Sequence, residues 1–110
     1  MSTKIEFSYK DKDYVLEYNR NAIKFIEKQG FNAEKISEQP ATMIELAFTG
    51  AFLKNHAKIT QPEIDEIYGS IKDKQGLNAT LINMIRETYE TLFEDSKDED
   101  DSKNIEWKIV

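Results

Sequence analysis

Two short runs of alternating apolar and polar residues open the chain. Ile5, Phe7 and Tyr9 alternate with polar neighbours, and Tyr14, Leu16 and Tyr18 repeat the pattern beyond the polar Lys10-Asp11-Lys12-Asp13. A period of two marks a strand, and Asp suits a turn because its side chain can bond its own backbone. Residues 3–18 therefore predict a β-hairpin with one apolar face on each strand. A two-stranded hairpin is marginal alone in water, so that face must pack on helices or on another chain.

From Asn19 the period becomes helical. Asn19 or Asn21 is the natural N-cap, and Ala22, Ile23, Phe25 and Ile26 follow at helical spacing. Gly30 supplies the left-handed residue past the helix end, and Phe31 can pack back over the last turn. Residues 32–38 predict a short helical turn carrying Ile36, closed by Pro40. Thr42-Met43-Ile44-Glu45 has the spacing of a capping box, which places the next helix start there. Ile44, Leu46, Ala47, Phe48, Ala51, Phe52 and Leu53 make that helix apolar around most of its girth, hence central and buried. Gly50 within it costs about 1 kcal/mol relative to Ala, so it is expected to admit a close neighbour. Thr60-Gln61-Pro62-Glu63 is a second capping box, flanked by Ile59 and Ile64 at hydrophobic-staple positions. Ile64, Ile67, Tyr68 and Ile71 form the stripe of this helix, with a stop near Gly76. A last helix is expected from about residue 78 to residue 93, turning Leu81, Ile82, Ile85, Tyr89, Leu92 and Phe93 inward.

Residues 94–104 carry no apolar side chain, and an acidic stretch of that kind is expected to be disordered. Ile105, Trp107 and Ile109 then alternate like a strand and include the one tryptophan of the protein. The expected fold class is α+β, mainly α: a hairpin, then a bundle of four to five helices, then the acidic tail ending in a strand-like segment. In domain terms, 1–93 is the folded unit, 94–104 a linker and 105–110 an interaction segment.

Composition narrows the function. The chain has 110 residues, enough for one core, and 33% of them are charged. With no cysteine, thiol chemistry and disulfides are excluded, and a reducing compartment fits. The net charge of -6 is concentrated between Glu94 and Lys103, where six acids face two lysines. No basic cluster supports nucleic-acid binding, and no apolar run is long enough for a bilayer. The start of the chain lacks a signal-peptide core, so a cytoplasmic location is expected.

Candidate chemistry is sparse. His56, the single histidine, stands without a readable nucleophile or acid partner and reads as a surface residue at a helix end. The four glycines form no phosphate loop. A calcium loop starting at Asp95 would put Lys97 at its third position and Asp100 where Gly is needed, which excludes it. Asn78-Ala79-Thr80 matches a glycosylation acceptor but reads as a helix cap. Neither a cofactor nor a metal is expected, nor an enzymatic activity. The Ile-Trp-Ile alternation instead suits a strand adding to a sheet edge, either the hairpin of this chain or another protein. Candidate partner-binding residues are Ile105, Trp107, Ile109, Phe7, Tyr14, Phe48 and Phe52.

Several segments together are similar to the tail assembly chaperones of long-tailed bacteriophages of Gram-positive hosts. They are Lys4-Ile5-Glu6-Phe7-Ser8-Tyr9, Asp13-Tyr14-Val15-Leu16-Glu17-Tyr18 with Asn19-Arg20-Asn21, Glu27-Lys28-Gln29-Gly30-Phe31-Asn32, Ala47-Phe48-Thr49-Gly50-Ala51-Phe52 and the acidic tail with Trp107. The resemblance implies a helical protein of the host cytoplasm that coats the tape-measure protein and helps recruit tail tube protein. It also implies a possible homo-oligomer and, in some members, a longer frameshifted form. The alternative expectation is a small acidic regulatory or inhibitory module that binds a host factor.

Overall fold

The computed structural model describes residues 3–92 and 106–109. Strands β1 (Ile5–Tyr9) and β2 (Lys12–Leu16) form an antiparallel hairpin, followed by α1 (Arg20–Lys28), a 3-10 turn at Ala33–Lys35, α2 (Pro40–Ala51), α3 (Gln61–Ser70) and α4 (Lys74–Thr91). An α+β, mainly α architecture with four helices among the described residues matches the expected class.

The hairpin register pairs Phe7 with Tyr14 and Ile5 with Leu16, so the apolar positions of both strands share one face. The turn is Lys10-Asp11, with φ of 50° and 63°. Both central residues are left-handed, the geometry that matches strand twist and is easiest for Asn-Gly. Asp11→Gly is accordingly expected to raise the unfolding free energy by about 0.5–1 kcal/mol, read from urea denaturation. A loss of stability would show that the Asp side chain contributes more than its backbone costs.

Asn19 is the N-cap of α1, its side chain accepting from the Ala22 amide at 2.8 Å. Gly30, at φ 106°, ends the helix. Its N–H donates to Glu27 O at 3.0 Å while Phe31 N–H donates to Ile26 O at 2.9 Å, and Phe31 is buried. These two bonds are a Schellman closure, the ending that the Gly30-Phe31 pair predicts.

The next boundary differs. α2 begins at Pro40, not at Thr42, and Gln39 caps it without a side-chain bond. Proline at the first helical position sacrifices no amide and already has a helical φ, so it starts this helix rather than closing the preceding turn. α3 has the expected capping box on Thr60 and Glu63. α3 ends at Ser70, and α4 starts at Lys74, four residues before the expected start, because the Asp73 side chain accepts from Gly76 N–H at 3.0 Å. Gly76 thus lies in the first turn of α4, where it is not a stop, and Asn78 is inside the helix rather than capping it.

The core is built around α2, which packs on α1 and α4. Ala47, Phe48, Ala51 and Phe52 are buried there with Leu16, Ile23, Ile26, Ile67, Leu81 and Met84. Gly50 faces Ile26 and Tyr18, and a Cβ on it would overlap the Ile26 Cγ2 methyl. The expected close neighbour is therefore α1. The hairpin docks on the end of α2 through Glu17 N–H to Ala51 O at 3.1 Å, while the buried Tyr18 hydroxyl donates to Ala47 O.

Candidate functional site

Between α2 and α3, above Phe48, lies an apolar groove of about 470 Å³ that is open to solvent. Phe48 is its floor, held edge-to-face against Tyr68 at 5.1 Å between ring centroids and against Phe52 at 5.0 Å. Ile44 and Ile64 form its walls, while Glu45 and Asp65 stand exposed on the rims. At one end Asn78 from α4 holds the Tyr68 hydroxyl, donating to it at 3.0 Å. That bond fixes the Tyr68 ring as a wall. Ligand clefts range over about 300–1,000 Å³, and this volume falls within that range. Among the described residues no group of three His, Cys, Asp or Glu is placed to hold a metal ion.

The sequence-derived candidates separate by position. Phe48 is the one that lines the groove. Phe7 is half-buried and stacks on Tyr14 at 5.2 Å, while Tyr14 and Phe52 are 5% and 0% exposed. Tyr14 and Phe52 belong to the core, because the hairpin face they serve is sealed against α2, and a partner cannot reach them in this arrangement. Trp107 and Ile109 are 81% and 88% exposed in a segment without strand structure. Ile105, the tail 94–104 and Phe93 lie outside the described residues. Among the described aromatics placed at helical spacing, Phe25 is 38% exposed. Ile44 and Ile64, which the sequence marks as core, are the groove residues that sequence reasoning missed as contacts.

Two polar clusters join the hairpin to the end of α2. The Glu17 carboxylate is buried, with Lys54 at 2.8 Å, Lys4 at 3.9 Å and the Asn55 amide at 3.2 Å. The Lys54 ammonium is the largest influence that holds this carboxyl below the usual range, against the opposing effect of burial. His56, expected at the surface, instead accepts the Val15 amide proton at Nε2 (3.0 Å) and packs 5.0 Å from the Tyr14 ring. Burial, then the Lys12 ammonium, hold its imidazole below the ordinary value.

A protonated Nε2 could not accept from Val15, so the neutral ring is the stabilising form. The unfolded chain binds this proton more readily. The His56 contribution is complete above about pH 6.5 and is lost as pH falls through the lowered folded-state value. Melting temperature is expected to drop between about pH 7 and pH 5, with a smaller drop in His56→Gln, whose amide oxygen can still accept. An unchanged slope in that variant would assign the effect to other groups.

The described residues thus form a hairpin-plus-helix fold with an apolar groove between α2 and α3. The chain belongs to the family described as "Domain of unknown function (DUF5055)", which it matches over residues 1–110. No curated protein and no solved structure matches it. No helix among the described residues is long and apolar enough to cross a membrane.

Proposed function

We propose that this protein is a non-catalytic tail assembly chaperone of long-tailed bacteriophages, binding the tape-measure protein and helping to recruit tail tube protein in the host cytoplasm. The observation that supports it most directly is the solvent-open apolar groove between α2 and α3. The similarity of the hairpin, the Glu27–Asn32 turn and the Ala47–Phe52 segment to such chaperones supports the same reading. An amphipathic helix of the tape-measure protein is the occupant the groove suits. Its apolar residues would fill the space between Ile44 and Tyr68, and flanking Lys or Arg would meet Glu45 and Asp65.

Co-expression tests this. The tape-measure protein should stay soluble with the wild-type chain and precipitate with Ile44→Glu, a change on the groove wall. Circular dichroism of that variant should show an unchanged helical content. Equal precipitation of the tape-measure protein with and without the wild-type chain would end the proposal.

A further inference from the structure

The two edges of the hairpin are not equivalent. In an antiparallel pair, opposite residues share one state: both point their backbone groups at each other, or both point away. Val15 points away from β1, because its N–H goes to His56 and its carbonyl accepts from Asn55 at 3.2 Å. The next outward group, Glu17 N–H, goes to Ala51. From Val15 to Glu17 the β2 edge is therefore covered by the end of α2 and the residues after it, and Asp13 beside the turn is the outward position left without such a bond. Glu6 is the partner of Val15, and Ser8 lies two residues along, so their N–H and C=O groups point outward from β1. Both residues are exposed, and no described residue bonds to these outward groups. An open edge of this kind is a template for one more strand.

The geometry points to residues 106–109 of the same chain as that strand, running antiparallel to β1 with Trp107 beside Phe7. This register sets Ile109 against Ile5, Lys108 against Glu6 and Glu106 against Ser8. Trp107 and Ile109 then continue the apolar face of Ile5, Phe7 and Tyr9, all half-buried, while Lys108 meets an opposite charge. The parallel register with Trp107 beside Phe7 would put Glu106 by Glu6, like charge on like charge. Lys4, two residues before Glu6, is held 3.9 Å from the Glu17 carboxylate, which offsets its repulsion of Lys108.

Reach is short. Thr3, just before β1, donates to the Glu87 carboxylate from its N–H at 3.1 Å and its hydroxyl at 3.0 Å. The start of β1 is thereby fixed beside the last turns of α4. From Leu92 to Glu106 the chain can span up to about 45 Å, against about 17 Å for the length of β1. A tether of this length gives an effective concentration on the order of mM, so the segment of the same chain outcompetes that of a second copy. The structure shows the open arrangement, with Trp107 and Ile109 in solvent; the closed one adds a third strand and hides an edge that would otherwise pair with other chains.

Trp107 is the only tryptophan, so its fluorescence reports the closure directly. The full chain should show a blue-shifted emission and acrylamide quenching severalfold weaker than in Lys108→Pro, which removes the N–H aimed at Glu6. Residues 106–109 lie outside the core, so this variant leaves the fold in place. The chain has no cysteine, and the double variant Glu6→Cys/Lys108→Cys should oxidise to a disulfide-closed monomer. Equal quenching in wild type and Lys108→Pro would overturn the inference. So would a disulfide-linked dimer with protection that rises with concentration, which would assign the strand to a second copy. Neither result depends on the tape-measure protein, so failure here is separate from failure of the proposed function.

Discussion

Phe52→Ala is expected to remove about 3–5 kcal/mol from the unfolding free energy. Domains of this size have about 5–15 kcal/mol in total, so the variant should lose a large share of its stability and melt well below the wild type. Phe52 caps the end of α2 with no exposed surface and lies edge-on to Phe48 at 5.0 Å and to Tyr14 at 6.0 Å. It is the side chain through which the hairpin face meets the central helix. Truncation leaves a cavity that the rings of Phe48 and Tyr14 cannot both collapse into. It also removes one wall of the His56 site, whose ring lies 6.3 Å away. Circular dichroism melts and urea titration would measure the loss. Phe25→Ala is the control, since Phe25 is 38% exposed on α1 and its loss should cost about 0.5 kcal/mol or less. Comparable losses in the two variants would contradict the placement of Phe52 in the core.

The features legible in the sequence are those set within a few residues. The hairpin follows from alternation on both sides of the polar Lys10–Asp13 stretch, although Lys12 and Asp13 pair within β2 and the turn itself is only Lys10-Asp11. The end of α1 follows from Gly30 and Phe31, and the start of α3 from the Thr60 and Glu63 capping box, because each signal acts through bonds three to five residues long. Two helix starts depart from the local reading where two signals compete. Thr42 and Glu45 have capping-box spacing, but Pro40 begins the helix two residues earlier and makes that cap redundant. Gly76 reads as a stop, yet Asp73 captures its amide and draws the start of α4 forward to Lys74.

The candidate site is less legible because it is made between elements. Ile44 and Ile64 look like ordinary stripe residues, and only the placement of α2 beside α3 makes them line a groove. Tyr14 and Phe52 look available for a partner because alternation shows that a face is apolar without showing what covers it. His56 illustrates the same gap. Its role depends on Val15, forty-one residues earlier, and no local pattern joins a lone histidine to an outward-facing strand amide.

Gly50→Ala should be the costliest change of a single methyl group, destabilising by about 1–3 kcal/mol although alanine is the better helix former. On an exposed helix this substitution would stabilise by about 1 kcal/mol, so the sign itself is diagnostic. The added Cβ would overlap the Ile26 Cγ2 methyl and lie 3.8 Å from the Tyr18 ring. Ile26 is fully buried and β-branched, so its methyl has no free rotamer to move into. Relief has to come from α1 and α2 moving apart, which strains the Tyr18 bond to Ala47 and the Glu17 bond to Ala51. A double-mutant cycle separates this clash from propensity. Ile26→Ala alone should cost about 2–5 kcal/mol by leaving a cavity. In the double variant the methyl added at position 50 partly fills that cavity, so the combined loss should fall short of the sum by about 0.5–3 kcal/mol. Additive losses would mean that the two positions do not touch, and the close approach of α1 to α2 would then be wrong.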